Sequence, residues 1–169
     1  MSFKAVRIYV FTAVDLEAQL IDHYGGLSAV LWNGSGFGSN DPGRERDTST
    51  YKDDHFDALY PIDIDRSIRM DLPSTAVRAE TVLRNLKDVL PYVFRYQGAR
   101  RGSRKPHPDL ERTNIIFRRT TEGTARAIIK EIMSQLPVGW QATQLPSHLI
   151  LYKENKAYPQ GALIARSSG

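Results

Sequence analysis

Apolar positions from Phe3 to Phe11 alternate, with Phe3, Ala5, Tyr9 and Phe11 on one side and Val6, Ile8 and Val10 on the other. Two apolar faces, interrupted only by Arg7, predict a central strand. Leu16, Leu20, Ile21 and Tyr24 then follow at helical spacing. Thr12 or Asp15 is the candidate cap and Gly25-Gly26 the stop. Residues Leu27 to Trp32 read as a second strand. From Ile62 to Leu72 the period is two throughout: Ile62, Ile64, Ile68, Met70 and Leu72 face inward, and Asp63, Asp65, Ser67, Arg69 and Asp71 face out. Only Arg66 interrupts the inward set, so a strand is expected over the whole stretch.

The period changes after Pro73-Ser74. Ala79, Val82, Leu83, Leu86, Val89 and Leu90 recur at helical spacing, and Pro91 ends the run by removing a donor and crowding the preceding turn. Alternation resumes at Tyr92, Phe94 and Tyr96, and Thr113 to Arg119 is the expected hairpin partner of that strand. A second amphipathic helix carries Ala125, Ile128, Ile129, Ile132, Met133 and Leu136 on one face, with Thr120 or Thr121 as its expected cap and Pro137 closing it. Trp140 to Leu145 and His148 to Lys153 read as strands, and Ala162 to Ala165 as an edge strand. The order β-α-β, loop, β-α-β-β-α-β-β predicts an α+β fold in one domain, 1–169. Its mixed or mainly antiparallel sheet carries about three helices. Two features stand outside that frame: a polar loop over 33–57 and a projecting basic arm over 98–112. The loop exceeds the ~12 to 15 residues that compact domains usually leave unstructured.

Composition narrows the chemistry. At 169 residues, 41% hydrophobic and 25% charged, the chain is ordinary globular material, long enough for a core without staples. With no cysteine, a disulfide framework, a thiolate nucleophile and a cysteine zinc site are excluded. No run approaches the ~18 to 20 apolar residues that cross a bilayer, and Ile8 to Val14 reads as a strand rather than a signal. The expectation is a soluble, intracellular protein, cytoplasmic or virion-associated, with no membrane partner.

Charge is where the chain departs from the ordinary. Between Asp88 and Lys130 ten Lys or Arg stand against four acids, whereas the preceding residues carry ten against thirteen. So concentrated a field acts on polyanions and interfaces rather than on the fold. The expected function is therefore non-enzymatic binding of nucleic acid. Arg95, Arg100, Arg101, Arg104 and Lys105 would neutralise phosphates, Tyr96 with Tyr92 or Phe94 would stack on bases, and Arg119, Arg126 and Lys130 would extend the footprint. No recognised nucleic-acid motif accompanies the cluster, so DNA and RNA are not distinguished. The alternative is an assembly subunit of a viral or other symmetric particle, a homo-oligomer or one subunit among others, whose acidic loop 41–57 and basic arm meet neighbouring protomers.

Catalytic and metal chemistry find weaker footing. Asp53, Asp54, His55 and Asp57 offer oxygen and nitrogen donors, but at no spacing that defines a ligand set, and an acidic loop is ordinarily a solvated one. Asp109 with Glu154 and Lys156 has the elements of a metal-dependent nuclease, dispersed over about 45 residues. A hydrolase of that kind is the second alternative. Gly34-Ser-Gly-Phe-Gly38 follows a strand but opens no helix, so it reads as a loop rather than a phosphate cradle. His23, His55, His107 and His148 are dispersed, and no cofactor is implied.

Overall fold

The computed structural model of the protein describes residues 43–70, 75–100, 103, 105–117 and 122–169. The expected strands at Phe3 to Phe11 and Leu27 to Trp32, the helix ending at Tyr24, and Arg101, Arg104 and Arg119 lie outside the described residues. The chain divides into two compact units, Met1–Tyr60 and Pro61–Gly169.

In the first unit, part of the stretch expected to be an irregular polar loop is helical. A 3-10 helix spans Gly43–Thr48 and a short helix, α1, spans Phe56–Leu59. His55 caps α1 by accepting the Asp57 N–H on Nδ1 at 3.1 Å, which satisfies one of the donors a helix start leaves open. Arg46 stands 3.5 Å from the buried Asp57 carboxylate. The acidic segment thus spends one of its carboxylates on an internal ion pair.

The second unit is an α+β fold built on a four-stranded sheet. Its elements are β1 (Ser67–Arg69), β2 (Val77–Arg78), α2 (Ala79–Val89), β3 (Val93–Tyr96), α3 (Pro108–Arg112) and β4 (Asn114–Ile115). After these come β5 (Glu122–Thr124), α4 (Ala125–Met133), β6 (Trp140–Gln144), β7 (His148–Lys153) and β8 (Ala162–Arg166). The sheet order is β3-β7-β6-β8, with β3 parallel to β7 and the other pairs antiparallel. β8 lies at the edge, as its short polar-flanked run implies.

Both faces of the sheet bury apolar residues, and the second also buries Gln141 and Thr143. Phe94, Leu149, Leu151, Ala142, Trp140 and Ile164 join the main core with Val82, Leu83 and Leu86 of α2 and Ile128, Ile129, Ile132 and Met133 of α4. The intervening residues Ile150 and Tyr152 turn to the other side and pack with Leu145 and Tyr158. Successive residues of a strand point to opposite faces, and β7, buried on both, carries an unbroken apolar run from Leu149 to Tyr152.

Three expectations are corrected. Within its described residues, 62–70, the strand expected over Ile62 to Leu72 is hydrogen-bonded as a strand only at Ser67–Arg69, against Glu122–Thr124. Burial still alternates, with Ile62, Ile64 and Met70 inside, but the backbone bonds of Ile62 and Ile64 go to Pro146, Gln144 and Arg126 instead of to a ladder. Among the described residues, the hairpin expected between 92–96 and 113–119 does not form. β3 pairs with β7, whereas β4 pairs with β2, Val77 opposite Ile115. Thr113 C=O accepts the Ala79 N–H at 2.8 Å, and Gln135 bonds both the N–H and the C=O of Ile116, so this segment is held by the start of α2 and the turn after α4. Finally, the cap of α4 is Thr124, whose hydroxyl accepts the Ala127 N–H at 3.2 Å, and the residues before it are strand β5.

Candidate nucleic-acid interface

The residues after β3 form a closed loop, not an extended arm. Gly98 and Pro106 bridge its base. Within it the Ala99 N–H donates to Lys105 C=O at 2.9 Å, the Ser103 N–H to Arg100 C=O at 3.0 Å, and the Lys105 N–H to Ser103 Oγ at 3.0 Å. Gly98 is required by space: a Cβ there would lie 2.8 Å from Ser103 O and 2.9 Å from Lys105 O. Between the two base residues the sequence has four cations and no acid, Arg100, Arg101, Arg104 and Lys105. Arg100 and Lys105 are exposed.

Both roots of the loop are tied to the same end of the sheet. On the entering side, the Gln97 N–H donates to Leu151 C=O and Gln97 Oε1 accepts the Lys153 N–H, each at 3.0 Å. On the leaving side, His107 caps α3 by accepting the Asp109 N–H on Nδ1 at 3.1 Å and stands edge-on to the Trp140 ring. Asp109 Oδ2 accepts the Lys153 ammonium at 2.8 Å and the Trp140 indole N–H at 3.0 Å. The Lys153 hydrogen bond, helped by Trp140, outweighs partial burial and holds the Asp109 carboxyl below the usual carboxylate range. The loop thus stands on a buried tryptophan and an ion pair.

The other cations and rings named from the sequence are placed differently. Arg95 shares a sheet face with Ile150, its register partner, and is half-buried there. Burial lowers its pKa, countered by Tyr152. Phe94 is a core residue, and Tyr92 and Tyr96 pack against the core. Burial, with the Glu80 carboxylate, raises the Tyr96 phenol against the opposing pull of Arg84. Arg126 is neutralised by Asp65, and Lys130 on the same helix lowers that carboxylate further. The Arg126 N–H donates to Ile64 C=O, and the Ile62 N–H to Pro146 C=O, so this group sits where β7 begins. The loop sits where β7 ends. Six residues of strand, about 17 Å at 3.3 Å per step, separate the two backbone sites, and the Arg126 charge is already matched by Asp65.

The nuclease elements are not brought together either. Asp109 is occupied by Lys153 and Trp140, whereas Glu154 accepts the Tyr158 hydroxyl and the Lys156 ammonium lies over the Tyr158 ring. Among the described residues, no three of His, Cys, Asp and Glu form a group able to hold a metal ion, and no helix is long and apolar enough to cross a membrane. Two positions that shape the loop were not singled out by charge or motif, Gly98 and Ser103. The glycine and proline bracketing a run of cations were their visible signal. Compared with known proteins, the chain matches no protein-family model, and neither a curated protein nor a solved structure matches it significantly.

Proposed function

We propose that this protein binds nucleic acid through its phosphate backbone, using the closed basic loop from Gly98 to Pro106. What supports the reading is the loop itself, four cations without an acid on a backbone that three internal hydrogen bonds hold closed. A held loop presents its charge without first losing the conformational freedom of a flexible arm. Phosphate contacts position a protein without reading bases. The strand that precedes the loop gives its rings to the core, which removes stacking by Tyr92, Phe94 and Tyr96 from the account and leaves a binding mode indifferent to sequence.

The test is a gel shift with duplex and single-stranded oligonucleotides at low salt. Converting Arg100, Arg101, Arg104 and Lys105 to Glu abolishes the shift while the thermal melt stays in place. Equal retention of oligonucleotide by that variant overturns the reading.

A further inference from the structure

We infer that Ser103 is a phosphorylation site for a basophilic serine kinase, and that its modification turns the basic loop off. This rests on the loop being the nucleic-acid contact. In sequence the serine follows Arg100-Arg101-Gly102 and precedes Arg104-Lys105. Arginines two and three residues before an acceptor are what an acidic kinase cleft reads, because guanidinium and carboxylate pair in a bidentate, charge-assisted way. The geometry suits the serine to the part. Ser103 is half-exposed at the turn that its own N–H closes onto Arg100 C=O. Its Oγ accepts one hydrogen bond, from Lys105 N–H, and its proton goes to none of the described residues. A lone pair is left for transfer. The bonds that must open for the segment to enter a kinase cleft belong to this surface loop and not to the core.

In the transfer, Ser103 Oγ attacks the terminal phosphorus of a nucleoside triphosphate held by the kinase. The new Oγ–P bond replaces the bond to the departing nucleoside diphosphate, and the hydroxyl proton goes to the kinase's base. The product carries about −1.5 to −2 charges at pH 7 in the middle of four cations. Half of the loop's charge is then satisfied internally. Counterion release on binding falls in step, so the slope of log K against log salt drops by about 1.4 to 1.8, and Kd at 0.15 M salt rises on the order of tenfold to thirtyfold.

The experiment uses the full chain, ATP and the catalytic subunit of a basophilic serine kinase, followed by intact mass and duplex binding across a salt series. Expected is a single added phosphate that is absent from Ser103→Ala, with weakened binding and a shallower slope in the modified protein. Ser103→Ala, which also loses the Lys105 N–H bond, serves only to locate the phosphate, and binding is compared between the modified and unmodified wild type. Failure to modify Ser103 overturns the inference and leaves the proposed function untouched, whereas a fully modified protein with unchanged binding overturns the inference and the loop's role in binding together. If the unmodified protein retains no duplex at low salt, the proposed function fails and the switch falls with it.

Discussion

Arg126 and Asp65, 61 residues apart in the chain, meet in a two-pronged ion pair, guanidinium Nε to Oδ1 at 2.8 Å and the terminal nitrogen to Oδ2 at 3.0 Å. A charge count along the sequence credits Arg126 to the basic region, but in space its charge is already matched. Arg126→Ala is therefore expected to leave oligonucleotide affinity and its salt dependence unchanged. Arg100→Ala or Lys105→Ala should each reduce the salt slope by about 0.9. Fluorescence anisotropy with a labelled duplex checks both, and a loss in Arg126→Ala equal to that in Arg100→Ala contradicts the assignment.

Gly98 separates geometry from charge. Adding one methyl group forces Ser103 and Lys105 carbonyls away from contacts of 2.8 and 2.9 Å, so Gly98→Ala keeps every cation and opens the loop. Expected is a loss of affinity of about tenfold at an almost unchanged salt slope, because the number of cations is the same while their arrangement is not. Overpacking of this kind costs about 1 to 3 kcal/mol, which a denaturant titration would register. Wild-type affinity in Gly98→Ala would show that closure is irrelevant to binding.

The Asp109 carboxyl is held low by Lys153 and Trp140, and the sign of its pH effect follows. A depressed folded pKa contributes stability that is fully present above the unfolded value of about 3.9 and is lost as pH falls through the lower folded value. Asp109→Asn should lower the melting temperature at pH 7, and its deficit should shrink as pH drops from about 4 toward 2. Melts recorded at intervals over that range check this. A deficit that does not change with pH would mean that the carboxylate's charge plays no part.

Much of this fold was legible because helical and alternating burial are local signals. The apolar faces of α2 and α4 and the strands β6, β7 and β8 lie where Val82, Leu86, Ile129, Ile132 and the run Leu149 to Tyr152 place them. Alternation names a face, not a neighbour. Tyr92, Phe94 and Tyr96 announced a strand, but nothing in them distinguished β7 as partner from the segment at Thr113, which α2 and Gln135 hold instead. Likewise Ile62 and Ile64 alternate with aspartates while single bonds from separate elements satisfy their backbone. The candidate site was legible as charge and not as shape. Arg100 and Lys105 remain exposed, Arg95 is drawn into the sheet, and the closure by Gly98 depends on an approach between backbones that no residue pattern displays.

Thr124 gives a check on helix α4. Its hydroxyl accepts the Ala127 N–H, so Thr124→Ala removes the cap and should destabilise the protein by about 1 kcal/mol, read as a lower urea midpoint at constant m-value. An unchanged midpoint would show that the helix start is satisfied in another way.

The central claim is that the loop from Gly98 to Pro106 acts on phosphates with its four cations. It is tested most directly by duplex affinity measured from 0.05 to 0.3 M salt for the wild type and for Arg100→Ala/Lys105→Ala. With four phosphates neutralised, log K should fall against log salt with a slope of about −3.6, and the double variant should show about −1.8. No measurable retention of duplex by the wild type at 0.05 M salt, or equal slopes for the two proteins, would contradict the account.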